Sequence, residues 1–246
     1  MSIKNLEPNG LWKNFYELTQ IPRPSKKEEK VVAFLKQFGE NLGLETIVDK
    51  VGNVIIRKPA TPGYEDRMGV VLQAHVDMVP QKNSDKVHDF EKDPIETRIE
   101  DGWVKANGTT LGADNGVGAA AAMAVLEATD LVHGPIEGLF TIDEETGMTG
   151  ANALEPGVLK GDILINMDSE TEGELYVGCA GGIDTCGYFT PKFEDVPAGS
   201  KAFQLIVKGL KGGHSGMDII LGRANANKVM NALLLKATEK FNARVA

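Results

Sequence analysis

Cysteine is scarce in this sequence. Only Cys179 and Cys186 occur in 246 residues, and no CxxC pair exists. That excludes a disulfide framework, and it leads one to expect reduced, buried thiols of the kind found in cytosolic proteins. Basic charge is also in deficit, with 26 lysines and arginines against 35 aspartates and glutamates and a formal net charge of −9. This balance argues against nucleic acid or an anionic membrane as the main partner. No apolar run approaches the length of a membrane span, and Met1-Ser2-Ile3-Lys4-Asn5-Leu6 carries neither an apolar core nor a cleavage signature. The expected location is therefore the cytoplasm. Internal repeats and low-complexity segments are missing too. The glycines of 112–118 do not spell G-x-G-x-x-G, and Ser215 is not in a G-x-S-x-G setting, so neither a dinucleotide fold nor a serine triad is supported.

What remains is an ordinary globular composition, 42% hydrophobic and 25% charged, in a length that suits one large or two small domains. Leu11, Phe15 and Leu18 recur at helical spacing before Pro22 and Pro24 break the chain. Ser25 with Glu28 spells a capping box for a second helix with the stripe Val31, Leu35, Phe38 and Leu42, which Gly43 would stop. Strands are expected at Thr46–Val48, Val54–Arg57, in the stretch Val70–Pro80 with His75 and Asp77 at the strand's end, and at Ile136–Ile142 and Ile163–Met167. A hairpin is expected around Asp101-Gly102, and an alanine-rich helix over Gly116–Ala128. Strands alternating with helices predict an α/β sheet. After about residue 188 the pattern changes to a strand at Phe203–Val207, a glycine-rich loop at Gly209–Gly216 and a helix at Ala226–Ala237. We therefore expect a first domain over 1–187 and the beginning of a second, α+β in kind, over 188–246.

Chemistry-bearing residues gather just beyond the apolar strands. Val70-Val71-Leu72-Gln73-Ala74 ends in His75-Val76-Asp77, and on an extended chain His75 and Asp77 share a face. Such a pair is either a satisfied core histidine or a metal-binding histidine with the carboxylate that orients it. Asp114, in Gly112-Ala113-Asp114-Asn115-Gly116, is either a helix N-cap or a ligand at the sheet's edge. Asp143-Glu144-Glu145 follows a strand directly, as a solvated turn or as a ligand beside an uncoordinated carboxylate base. Asp168 closes Ile163-Leu164-Ile165-Asn166-Met167 in the same way. One histidine among several carboxylates suits zinc, manganese or cobalt. His214, in Gly212-Gly213-His214-Ser215-Gly216, reads either as a plain loop histidine or as a group reaching a substrate from the second unit.

Together, Ala74-His75-Val76-Asp77-Met78-Val79, Gly112-Ala113-Asp114-Asn115-Gly116, Asp143-Glu144-Glu145-Thr146-Gly147, Asn166-Met167-Asp168-Ser169-Glu170 and Gly212-Gly213-His214-Ser215-Gly216 resemble the two-zinc aminoacylase, dipeptidase and peptidase T family. The resemblance implies a zinc-peptidase catalytic domain with a mixed sheet, a lid domain, two divalent ions and a dipeptide substrate. It implies that His75 and Asp168 hold one zinc, Glu145 the other, and Asp114 both. Asp77 then orients His75, Glu144 is the general base, and His214 is the lid histidine at the scissile carbonyl. It further implies a homodimer for the complete enzyme and a cis peptide at Asp114–Asn115. The family's chain returns from the lid with a last histidine ligand, and no such segment occurs here. The sequence thus resembles an amino-terminal part, for which a catalytically silent interaction module is the alternative expectation.

Overall fold

The computed structural model describes residues 2–179, 181–183, 185–213 and 218–245. The chain divides into two units, Met1–Ala180 and Gly181–Ala246. The first is built on a five-stranded mixed sheet of β1 (Glu45–Val48), β2 (Val54–Lys58), β3 (Val70–His75), β6 (Ile136–Thr141) and β7 (Ile163–Asn166), ordered β1-β2-β6-β3-β7. β1, β2 and β6 pair antiparallel in sequence, whereas β3 runs parallel to both β6 and β7. Helices flank this mixed sheet, as expected for an α/β fold. The predicted hairpin forms a separate two-stranded sheet, β4 (Thr97–Glu100) with β5 (Trp103–Ala106).

Both faces of the sheet are covered around β2, β3 and β6, whereas β7 at the edge is exposed. On one face, α1 (Asn9–Thr19), α2 (Glu29–Asn41) and α3 (Ala113–Glu127) bring Phe15, Leu18, Val31, Leu35, Ala119, Ala120, Ala122 and Met123 against Val54, Ile56, Ala74 and Phe140. Ala119, Ala120 and Ala122 of α3 are fully buried, so their small side chains let that helix lie close to β3 and β6. On the other face a smaller cluster of Ile55, Val71 and Leu139 is covered by Leu154, Val158 and Leu159; the short α4 (Thr149–Asn152) opens that segment. Every residue of β6 is buried, as expected of a central strand covered on both faces.

Several local expectations are corrected. Ser25 and Glu28 do not form a capping box: α2 starts at Glu29 with Glu28 at the cap position, and the Ser25 hydroxyl bonds elsewhere. α3 includes a first turn at Ala113 that is broken by non-helical dihedrals at Asp114 and Asn115, so its regular part begins at Gly116 as expected, and the cap position is Gly112 rather than Asp114. In the second unit, α5 (Ala226–Phe241) forms, but Phe203–Val207 is not a strand. No strand among the described residues pairs with it, and a strand needs a ladder partner. Both cysteines are free but exposed rather than buried. No helix among the described residues is long and apolar enough to cross a membrane.

Candidate metal centre

The parallel arrangement of β3, β6 and β7 is what gathers the site. Parallel strands end at one edge of a sheet, and His75 pairs in register with Thr141 while Gln73 pairs with Asn166. The residues following each strand, Val76–Asp77, Asp143–Glu145 and Asp168, therefore emerge side by side. The loop into α3 adds Asp114. This edge is where open α/β sheets place ligands.

His75 is the centre of the cluster and is 1% exposed. Its Nδ1 meets Asp77 Oδ1 at 3.1 Å, its Nε2 meets Asp114 Oδ1 at 2.9 Å, and Asp168 Oδ2 lies 3.6 Å from Nε2. One donor atom from each of His75, Asp114 and Asp168 lies within 4.8 Å of the others. The inner pair is dry, while the side chains of Asp114 and Asp168 are 48% and 28% exposed at the mouth.

Asp77 does not join that trio; it organises it. Fully buried, it accepts four hydrogen bonds. Oδ1 takes those of His75 and the Glu144 amide, the latter at 3.0 Å, and Oδ2 takes those of the Ser25 hydroxyl at 2.8 Å and the Glu145 amide at 3.2 Å. The same carboxylate thus orients the imidazole and pins the backbone of both glutamates. Asp143 turns the other way. With φ +49° it is buried and accepts the hydroxyls of Thr146 and Thr149. The three consecutive acids are split in direction, one inward into the turn and two at the sheet edge.

The charges respond to this crowding. Burial opposes a charged His75, but the hydrogen bonds to Asp114 and Asp77 and the charge of Asp168 outweigh it and push its pKa up to about 10. Burial also works against an ionised Asp77, yet the donors around it hold its pKa down at about 2. Asp168 is pushed up to about 7, first by burial and then by the charge of Asp114 and a hydrogen bond with it, against the favourable pull of His75. Glu145 is raised by burial and by the charge of Asp114. Carboxylates are thus held together against their own repulsion, with protons standing where a cation would neutralise them. An imidazole and several carboxylate oxygens at one point form a donor set that fits zinc, manganese or cobalt.

A second group, Glu28, Asp77 and Asp143, is equally close and fully buried. Most of its oxygens are already engaged: Glu28 Oε1 accepts from the amides of Lys26 and Asp143, and the oxygens of Asp77 and Asp143 accept as described. Acceptors committed to protein donors act first as a scaffold.

Of the residues singled out from the sequence, His75, Asp77, Asp114, Glu144, Glu145 and Asp168 come together, and the Asp114–Asn115 peptide is cis. His214 lies outside the described residues. Three participants were missed. Ser25 holds Asp77, Asn166 accepts the amide of Asp168 at 3.0 Å, and Gln73 accepts from Asn166 and donates to Thr141 beneath the strand ends. The sequence signal for Asn166 and Gln73 was a polar residue interrupting an apolar strand.

Comparisons with known proteins point the same way. Residues 71–192 match the sequence profile of peptidase family M20/M25/M40. The chain is 52% identical over 243 residues to the cytosol non-specific dipeptidase of Escherichia coli, covering 99% of this chain and 50% of that protein. Among solved structures, aminoacylhistidine dipeptidase from Vibrio alginolyticus superposes with a TM-score of 0.73 at 48% identity, covering all of this chain and 50% of that one. Aminopeptidase PepT from Bacillus cereus gives 0.56 at 26% identity over 68% of this chain and 44% of that one. The chain spans about half the length of these relatives. The matched span 71–192 holds the strand ends and every carboxylate of the cluster, and over that span the chain is similar to peptidase family M20/M25/M40.

Proposed function

We propose that this chain forms the catalytic part of a metal-dependent dipeptidase acting on Xaa-His and other dipeptides in the cytosol. The names of the Escherichia coli and Vibrio relatives support the substrate class and location. The observation that carries the reading is the convergence of His75, Asp114 and Asp168 within 4.8 Å, beside two glutamates whose backbone Asp77 pins.

In this reading His75, Asp114 and Asp168 would hold one divalent ion and Glu145 with Asp114 a second, with zinc as the first choice. When bound, such ions supply Lewis acidity that polarises a carbonyl and makes water acidic near neutral pH. The remaining work belongs to the chain. Asp77 keeps the His75 proton on Nδ1, which would leave Nε2 available to hold an ion. The Glu144 carboxylate takes a proton from the water that attacks the peptide carbonyl carbon. It returns that proton to the amine nitrogen as the C–N bond breaks. His214, which lies outside the described residues, would by the family likeness donate a hydrogen bond to the carbonyl oxygen as charge builds there. The catalytic domain runs through residue 187 and the lid begins at 188.

The test is Glu144→Gln in the zinc-loaded chain. Turnover of Xaa-His dipeptides should fall by roughly 10²–10⁴-fold while metal content stays at the wild-type level. Undiminished turnover in that variant removes Glu144 from its role. A wild-type chain that binds zinc but cleaves no dipeptide overturns the hydrolase reading and leaves a metal-binding interaction module.

A further inference from the structure

Arg23 is one of the largest side chains buried in the molecule, 2% exposed, and nothing in the proposed chemistry uses it. It sits between Pro22 and Pro24, on a segment whose backbone docks beside the site: the Met78 amide donates to the Arg23 carbonyl, and the Ser25 amide to the Met78 carbonyl. Its guanidinium makes hydrogen bonds to three main-chain carbonyls on two separate segments. Nη1 donates to Val76 at 2.8 Å and to Asp77 at 3.2 Å, and Nη2 donates to Gly112 at 2.6 Å. The first two carbonyls follow His75 directly. The third stands two residues before Asp114.

A planar guanidinium has a fixed width between its terminal nitrogens. Holding one segment on each nitrogen fixes the separation of the two segments. The surroundings are cut to that group. A Cβ on Gly112 would stand 2.5 Å from Nη2, and one on Gly116 2.6 Å. Both glycines of Gly112-Ala113-Asp114-Asn115-Gly116 thus make room for the arginine as well as for the turn, where Gly112 has φ +72°. Simple filling of core volume would not call for a charge, since methionine fills such space without the desolvation cost. The charges of Asp77 and Asp114 face the guanidinium and offset that cost in part.

We propose that Arg23 is a positioning residue for the metal centre, setting the gap between His75 and Asp114 by clamping the carbonyls of Val76, Asp77 and Gly112 across its guanidinium. The proposal rests on reading the cluster as a metal site and adds the part that fixes its dimensions. The metal-free chain, labelled with ¹⁵N-histidine, gives a readout that needs no activity. Its His75 N–H signals are assigned by comparison with His75→Gln. In Arg23→Met the Nε2–H signal, which reports the Asp114 contact, should shift or vanish, while the Nδ1–H signal, which reports Asp77 two residues along the same chain, should persist. A merely structural loss would move both together. Zinc affinity, measured by competition with a chromophoric chelator, should fall by roughly 10–100-fold in Arg23→Met and less in Arg23→Lys. A folded Arg23→Met with unchanged Nε2–H signal or unchanged zinc affinity overturns the proposal. Should that variant not fold, Arg23→Lys is judged by the same two signals, and failure of both variants to fold makes Arg23 a structural residue and also overturns it. If the wild-type chain takes up no zinc, the metal reading fails, yet the imidazole signals still decide the role of Arg23.

Discussion

Replacing Asp77 by asparagine changes one atom type and sets an amide donor where an acceptor is required. The carboxylate now accepts from His75 Nδ1, the Ser25 hydroxyl and the amides of Glu144 and Glu145, two donors on each oxygen. Asparagine can accept on one side only, so two of the four donors lose their partner and face another donor. Each buried donor left unsatisfied costs about 1–3 kcal/mol, which puts the loss for Asp77→Asn at about 2–6 kcal/mol. At about 2–4 °C per kcal/mol for a domain of this size, the melting temperature should fall by roughly 5–20 °C. Ser25→Ala removes a single donor and should cost only about 0.5–1.5 kcal/mol. Zinc affinity should drop by roughly 10–100-fold in Asp77→Asn, because the imidazole loses the group that orients it. The wild-type carboxyl, held at about 2 against an ordinary 3.8, contributes stability that is present above about pH 4 and is lost as pH falls through about 2. The variant has no such acid limb. The assay is thermal and urea unfolding of the chelator-treated chain, with zinc competition alongside. An Asp77→Asn chain within about 1 kcal/mol of wild type would refute the idea that this carboxylate organises the site.

Three further outcomes follow from the same geometry. In the metal-free chain His75 and Asp168 hold protons up to about pH 10 and about pH 7, so zinc binding at pH 7 should release about one to two protons and strengthen as pH rises; calorimetry in buffers of different ionisation enthalpy counts them, and release near zero contradicts the assignment. Because both folded pKa values lie above the ordinary 6.5 and 3.8, their stabilising effect is lost as pH rises, through about 4–7 for Asp168 and about 6.5–10 for His75; chelator-treated wild type should therefore lose stability relative to His75→Gln between pH 6.5 and 10, and a gain would contradict this. Gly116→Ala places a methyl 2.6 Å from Arg23 Nη2 and 3.1 Å from Phe15 Cε2, and should destabilise by about 1–3 kcal/mol in urea unfolding.

The sheet and the ring of acids were legible because both are local. Apolar runs at Val70–Ala74, Ile136–Ile142 and Ile163–Met167 read as strands, and the acids stood immediately behind them. Once β3, β6 and β7 run parallel, proximity in sequence to a strand's end becomes proximity in space. What stayed hidden depends on partners far along the chain. Ser25 looked like a helix cap because Glu28 stands three residues on, whereas its partner Asp77 is 52 residues away. Arg23 reaches across 53 and 89 residues to Val76 and Gly112, and no periodicity records such a bond. The burial of Asp143 was hidden for the opposite reason: three acids in a row look solvated until a left-handed turn directs one of them inward. Phe203–Val207 has strand composition, but composition supplies no neighbour to pair with.

The most direct test is anomalous diffraction at the zinc edge from crystals of the zinc-loaded chain. A peak about 2.0–2.2 Å from His75 Nε2 and from carboxylate oxygens of Asp114 and Asp168 is the predicted result. A map with no peak there, or with its peak among Glu28, Asp77 and Asp143, would contradict the account.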